Sequence, residues 1–299
     1  MRWPTNIRPS NWRRCPTTAS EMLGAATLGD AWREASQSIA RLDARLLLEH
    51  VCCCSYTDLI AHPERELSGD QLERFAALLT RCEAGEPVAY LVGSAFFCGL
   101  EFAVSPAVLI PRPETEVLVE QAVARVQTPA APRIVDMGTG SGIVAILLAL
   151  RCSTADVTAV DVSTAALVVA RANADRHGTT VRFLEGDWYA PLGDERFDLI
   201  VSNPPYVVAG DPHLQQNGLP FEPQVALTDA VAGGDGLACI RTLIASAHKH
   251  LSPAGWLLIE HGYDQAVQVQ ELLRASGFTS VESWRDEAGI ERVSGGQWS

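Results

Sequence analysis

The chain has 299 residues, 47% of them hydrophobic, which is enough for one large domain with a core of its own plus a small one. Its 36 acidic and 23 basic side chains give a formal net charge of −13, which excludes broad coating of nucleic acid but not a local basic groove. No apolar run approaches the length of a membrane span and no secretory signal opens the chain, so a cytoplasmic protein with no membrane association is expected.

Residues 1–18 hold Arg2, Arg8, Arg13 and Arg14, three prolines, two tryptophans and no acid. They show neither a helical nor a strand period and are expected to be a flexible basic extension, with Met22 as an alternative start; a basic binding arm is the functional alternative. Residues 19–85 read as a small helical bundle. Ile39, Leu42, Leu46 and Leu47 recur at helical spacing, and Leu72, Phe75, Leu78 and Leu79 repeat the pattern after the candidate cap Ser68. Residues 86–112 are rich in β-formers such as Tyr90, Val92, Phe96, Phe97, Phe102, Val104 and Ile110, broken by Gly93, Gly99 and Pro106, and predict a β-hairpin linker. A helix is predicted from Glu114 to about Val126, followed by a turn-rich break at 128–132.

From residue 133 onward strands and helices alternate. Strands are predicted at 133–137, 157–162, 181–185, 197–202 and 256–261, with two more between 280 and 295. Helices are predicted at 141–151, 164–177, 236–250 and 263–276. Val- and Ile-rich strands separated by amphipathic helices indicate an α/β fold, a parallel sheet covered on both faces whose strand ends gather at one edge.

The chemistry is expected at that edge. Gly138-Thr139-Gly140-Ser141-Gly142 lies between the first strand and its helix. Its Gly-x-Gly-x-Gly spacing is neither the dinucleotide fingerprint nor a phosphate loop, since no Gly-Lys-Ser/Thr follows. The second strand ends at Asp161, placed to take both ribose hydroxyls of a nucleoside. An adenosine ligand without pyrophosphate fits both features, S-adenosylmethionine for example. Asp187 and Trp188 follow the third strand, one suited to accept from an adenine amino group and the other to pack on its ring.

Asn203-Pro204-Pro205-Tyr206 ends the fourth strand. The prolines fix φ and remove N–H donors, leaving carbonyls free to face a ligand. The Asn203 side-chain oxygen and the Pro204 carbonyl are suited to grip both hydrogens of a planar NH₂ group, with Tyr206 covering its face. Two acceptors raise electron density on a poorly nucleophilic nitrogen and strengthen as positive charge develops there.

In these motifs the chain resembles the peptide chain release factor N(5)-glutamine methyltransferases from about Leu42 to Trp298. Leu109-Ile-Pro-Arg-Pro-Glu-Thr115, Phe221-Glu-Pro223 with Gly234-Asp-Gly236, and Glu260-His-Gly-Tyr263 carry the resemblance beyond the Asn-Pro-Pro-Tyr motif, which DNA adenine methyltransferases share. It implies a Rossmann-like methyltransferase sheet with an antiparallel last strand over residues 113–299. It implies S-adenosylmethionine as donor, S-adenosylhomocysteine as product, and the glutamine amide of a release factor's Gly-Gly-Gln motif as acceptor. The helical bundle is then a substrate-recognition domain. By motif, Gly138, Thr139, Gly140, Ser141, Gly142, Asp161, Asp187, Trp188 and Asn203 hold the cofactor, while Asn203, Pro204, Pro205 and Tyr206 hold the glutamine; Arg112 and Glu114 support the site. Met137 stands where a leucine is expected, a volume-conserving exchange. A monomer without stable nucleic-acid binding is expected. Glutamine methylation of a ribosomal protein, amino-methylation of a nucleic-acid base, and a non-catalytic nucleoside-binding partner of release factors are the alternatives.

Other features read as structural. The chain's own Gly295-Gly296-Gln297 is expected to end a strand rather than to serve as a methyl acceptor. The eight cysteines form no Cys-x-x-Cys pair and the seven histidines show no metal spacing, so reduced thiols, Cys52-Cys53-Cys54 at a helix end among them, and no metal site are expected.

Overall fold

A computed structural model of the protein describes residues 27–126 and 131–299. The basic extension of residues 1–18, the first residues of the predicted bundle and most of the break at 128–132 lie outside the described residues. The chain divides into two compact units, the first ending at Val92 and the second spanning Gly93–Ser299.

In the first unit, α1 (Leu28–Ala35), α2 (Arg41–Cys52), α3 (Tyr56–Ala61), α4 (Gly69–Glu83) and α5 (Val88–Val92) pack together. Ser55 with Asp58 and Ser68 with Gln71 form capping boxes that satisfy the first backbone donors of α3 and α4. The core holds Leu28, Leu47, Leu48, Leu59, Phe75 and Leu79. Leu42 lies on the exposed face of α2, because the buried stripe runs through Ala44, Leu47, Leu48 and Val51. α2 ends at Cys53, whose φ of 48° is left-handed. Burial pushes the Cys52 thiol up to about 11, so it stays protonated at neutral pH.

Residues 88–92 are helical, although Tyr90 and Val92 favour strands. Tyr90 and Leu91 are buried there, and tertiary packing outweighs propensity over so short a stretch. The hairpin is therefore shorter than expected: β1 (Ser94–Phe97) and β2 (Leu100–Ala103) pair antiparallel. Their two-residue turn, Cys98-Gly99, has φ of 47° and 78°, the pattern of a tight hairpin turn.

The second unit continues with α6 (Thr115–Arg125), β3 (Arg133–Met137), α7 (Ile143–Arg151), β4 (Asp156–Asp161), α8 (Thr164–His177), β5 (Arg182–Glu185) and β6 (Phe197–Ser202). A short β7 (Val207–Ala209), α9 (Gln224–Leu227) and β8 (Thr228–Ala232) follow, then α10 (Ala238–His250), β9 (Leu251–Glu260), α11 (Ala266–Ala275), β10 (Thr279–Arg285) and β11 (Glu291–Gln297). The seven-stranded sheet is ordered β10-β11-β9-β6-β3-β4-β5. β9, β6, β3, β4 and β5 are parallel, and β11 runs antiparallel to both its neighbours. β7 and β8 form a separate parallel pair that sequence patterning did not anticipate.

Strand alternation feeds two cores. Ile134 packs with Leu118, Ile146 and Leu167 on one face. Val135 and Met137 pack with Ile240, Leu243 and Leu273 on the other. Gly295-Gly296-Gln297 lies within β11, where a Cβ on Gly295 would overlap Leu258 and one on Gly296 would approach Phe278 Cβ at 2.9 Å. Close packing therefore accounts for those glycines. Among the described residues no helix is long and apolar enough to cross a membrane, and no cluster of three or more His, Cys, Asp or Glu is placed to hold a metal ion.

Candidate active site

The ends of β3, β4 and β6 meet at one edge of the sheet, where a cavity of about 620 Å³ opens. Between β3 and α7 the chain turns through Gly138, Gly140 and Gly142, with φ of 73°, 55° and 84°. The Gly138 and Thr139 amides donate to the Val160 carbonyl at 2.8 and 3.0 Å, which ties the turn to β4. Asp161 braces it from the other side: Oδ2 accepts from the Gly140 amide at 2.8 Å and Oδ1 from Ser163 at 2.9 Å. Burial raises the Asp161 carboxyl above its ordinary range, against these amide bonds, which lower it.

Beneath the turn, Asp136 is 1% exposed. It accepts from the Thr139 hydroxyl at 2.6 Å and the Ala145 amide at 3.3 Å. Burial still pushes its carboxyl up to about 7. The Trp188 ring lies against the turn, 3.6 Å from where a Gly138 Cβ would sit, an ordinary contact distance; the φ of 73° is what requires glycine there.

Gly138, Thr139, Gly140, Ser141, Asp161, Asp187, Trp188 and Asn203 all reach the cavity wall. Gly142 does not. Its Cβ would crowd Ala170 and Ile146 at 3.1 Å, so it serves the packing of α7 on α8. The donor set fits S-adenosylmethionine: a carboxylate with unused lone pairs for hydroxyls, an indole face for a ring, and glycines that let the backbone approach a ligand. Those residues would hold the cofactor.

Asn203 and Pro205 are on the wall, whereas Pro204 is buried and Tyr206 is off it. The Ser202 hydroxyl donates to the Met137 carbonyl at 2.7 Å and locks the end of β6 to β3. Asn203 Nδ2 donates to Thr115 Oγ1 at 3.1 Å. The Tyr206 hydroxyl points away from the cavity to Glu260 Oε1, at 3.4 Å. Gln265 Nε2 donates to the Tyr206 and Asp235 carbonyls, each at 3.1 Å, and a Cβ on Gly236 would overlap the same Tyr206 oxygen. The Gly-Asp-Gly and Glu-His-Gly-Tyr segments thus hold the Asn-Pro-Pro-Tyr backbone from behind.

The segment before α6 is pinned by the buried carboxylate of Glu222, which accepts from Arg112 and from the Ile110 amide at 3.0 Å. Pro111, Arg112 and Thr115 reach the cavity wall from that segment, and Pro223–Ala226 follow the pinning residue. Glu114 faces Arg292 at 3.4 Å instead. Sequence reasoning did not single out Asp136, Thr115 or Glu222 as separate functional residues. Asp136 lies two residues before the Gly138–Gly142 turn, Thr115 ends the Leu109–Thr115 motif and Glu222 lies in Phe221-Glu-Pro223, so a signal existed without an assigned role.

The sheet order, with its antiparallel strand beside β9, and a nucleoside-sized cavity at the parallel strand ends define a Rossmann-like, S-adenosylmethionine-dependent methyltransferase. Solved structures agree on the fold. A methyltransferase from Pyrococcus furiosus matches with TM-score 0.50 at 20% identity, covering 73% of this chain and 95% of that one. The Thermus thermophilus 16S rRNA N2 G1207 methyltransferase, in complex with AdoMet and guanosine, matches with TM-score 0.50 at 20% identity, over 69% of this chain and 50% of that one. Family models for the PrmC N-terminal domain and the methyltransferase small domain match residues 29–93 and 113–217. The release factor glutamine methyltransferase of Burkholderia pseudomallei is 49% identical over 94% of this chain and 96% of its own length. That of Bordetella pertussis is 49% identical over 88% and 96%. The chain belongs to the release factor glutamine methyltransferase family.

Proposed function

We propose that the protein methylates the side-chain amide nitrogen of the glutamine in the Gly-Gly-Gln motif of peptide chain release factors, using S-adenosylmethionine. The observation that carries the reading is the Asn203 amide: its nitrogen is engaged by Thr115 at 3.1 Å, so its oxygen remains as the acceptor on the cavity wall. Bound S-adenosylmethionine supplies an electrophilic methyl group on a sulfonium. Asn203 Oδ1 and the Pro204 carbonyl accept the two amide hydrogens of the glutamine, aim its nitrogen and stabilise the positive charge that develops on it. A nitrogen–carbon bond forms, the carbon–sulfur bond breaks, and one amide proton leaves to water. Pro205 keeps the loop rigid. Tyr206, turned toward Glu260, supports the loop from behind in this structure.

The helical unit is read as the part that recognises the release factor, which the match of its family model supports. The protein is read as a cytoplasmic monomer acting on protein rather than nucleic acid; the acidic balance and a protein acceptor support this. The test is transfer of a radiolabelled methyl group. Wild-type release factor is expected to be labelled and its Gln→Ala acceptor variant not. Label that survives the substitution, or that appears only on DNA, RNA or a ribosomal protein, overturns the reading.

A further inference from the structure

We propose that Asn173 is a positioning residue that couples the β1–β2 hairpin to the glycine turn of the cofactor cavity, so that a seated hairpin and bound S-adenosylmethionine strengthen each other. The inference rests on the assignment of that turn to the cofactor. Asn173 lies within α8 and is 0% exposed. Asparagine is a poor helix former, and a buried amide costs free energy unless its polar atoms find partners. Its neighbours on the helix, Leu167, Ala170 and Ala174, belong to an apolar core, so packing alone would favour an apolar side chain at this position.

The amide instead makes three hydrogen bonds, all to backbone. Oδ1 accepts from the Ala103 amide at 2.7 Å, and Nδ2 donates to the Ala103 carbonyl at 3.0 Å. β2 has only β1 as a strand partner in its sheet, and Asn173 takes its other edge as a second strand would. Nδ2 also donates to the Ser141 carbonyl at 2.9 Å, inside the glycine turn. Both amide hydrogens are then used, on two segments that precede Asn173 by 70 and 32 positions. α8 meets the same turn on the same face at Ala170, which would lie 3.1 Å from a Cβ on Gly142. Further along α8, His177 Nε2 lies 3.0 Å from the Glu101 carbonyl and Arg176 pairs with the Glu101 carboxylate at 3.6 Å, which seats the hairpin. Gly138–Ser141 form one part of the cavity wall, and Ala107, Val108 and Leu109, just beyond β2, form another, whereas residues 94–103 do not reach it. One buried amide thus sets the gap between two parts of the wall before a ligand arrives, which lowers the cost of ordering them on binding. By linkage, a ligand that firms the turn also firms the hairpin, although it does not touch it.

The test is amide hydrogen exchange of the full chain with and without saturating S-adenosylmethionine, beside calorimetric binding. In wild type the cofactor is expected to slow exchange about fivefold or more both in the turn, residues 138–142, and in the hairpin, residues 94–103, beyond any change in β10 at the far edge of the sheet. Asn173→Asp keeps the shape and the bond from the Ala103 amide but sets a carboxylate oxygen against two carbonyls; Asn173→Leu keeps a similar volume and removes all three bonds. Each is expected to raise the cofactor Kd on the order of tenfold, to leave kcat at saturating cofactor within about twofold, and to abolish the hairpin's response to the cofactor. A side chain that only stabilised the fold would lower the melting temperature and leave that response in place. A wild-type hairpin that responds no more than β10, a hairpin response that persists in either variant, or an unchanged Kd overturns the inference. Should both variants unfold before binding can be measured, the wild-type exchange decides. If the cofactor slows neither segment, the assignment of the glycine turn to the cofactor fails and this inference with it; if it slows the turn and not the hairpin, the inference alone fails.

Discussion

Asp161 and Asn203 stand at the ends of β4 and β6, one on each side of β3, and the proposed function gives them separate tasks. Two oxygens of Asp161 already hold the Gly140 and Ser163 amides, and the carboxylate keeps unused lone pairs on the cavity wall. Asp161→Ala removes the brace of the glycine turn and, on the cofactor role proposed for it, a ligand contact as well. It is expected to weaken S-adenosylmethionine binding by about 10- to 100-fold, as loss of a charged hydrogen bond does. Asn203→Ala is expected to leave that binding nearly intact and to lower kcat by about 100- to 1000-fold, as removal of a donor or acceptor aimed at developing charge does. Calorimetry and single-turnover labelling separate the two; a binding defect in Asn203→Ala without a rate defect would reverse the assignment. The Asp161 position was legible because a short βαβ unit encodes it locally. The Thr115–Asn203 bond joins residues 88 positions apart and exists only once α6 is seated, so no local pattern could show it. Likewise Tyr206 reads as a ring for the acceptor from its motif, and the packing around Glu260 turns its hydroxyl the other way.

Among elements, the alternating strands and helices after residue 133 were readable because each is long enough to show its period and is buried on a defined face. Helix α8 and strand β6 matched their predicted bounds. The failures are short elements. α5 has five residues and β7 three, too few for a period, and the partner of β7 lies beyond a loop of turns. That loop region returns at Gly236, whose positive φ of 73° and absent side chain let it pass beneath the Tyr206 carbonyl. Gly236→Ala combines a disfavoured backbone conformation with an overlap against backbone, which cannot rotate away. It is expected to destabilise the unit by about 1–3 kcal/mol and to displace the Asn-Pro-Pro-Tyr loop. Thermal melting with and without S-adenosylmethionine, beside kcat, checks this. Gly233→Ala is the control, since a Cβ there meets nothing within 4 Å although its φ is also positive, so a smaller loss is expected. Equal effects would mean that backbone strain alone, and not the contact with Tyr206, holds the loop.

Across the whole molecule, the acidic balance hides two kinds of carboxylate. Surface groups such as Asp235, brought to about 2 by its hydrogen bonds with Arg241, favour folding as they ionise. Glu260 and Asp136 behave oppositely, because burial raises each to about 7. A carboxyl whose folded pKa is raised holds its proton more tightly folded than unfolded. Its contribution to stability is full below the unfolded value, near 4.5 for Glu260, and is lost as pH rises through about 7. Glu260 Oε1 lies 3.4 Å from the Tyr206 hydroxyl, so this proton is held beside the Asn-Pro-Pro-Tyr loop. Denaturant unfolding followed on the transition that S-adenosylmethionine shifts, between about pH 5 and about pH 8, tests the pair. Wild type is expected to lose stability relative to Glu260→Gln across that window. Asp136, on the cavity wall, is expected to show its titration in cofactor affinity and not in kcat, which keeps the two carboxyls distinguishable. A stability difference between wild type and Glu260→Gln that does not change with pH would mean that Glu260 is already ionised throughout.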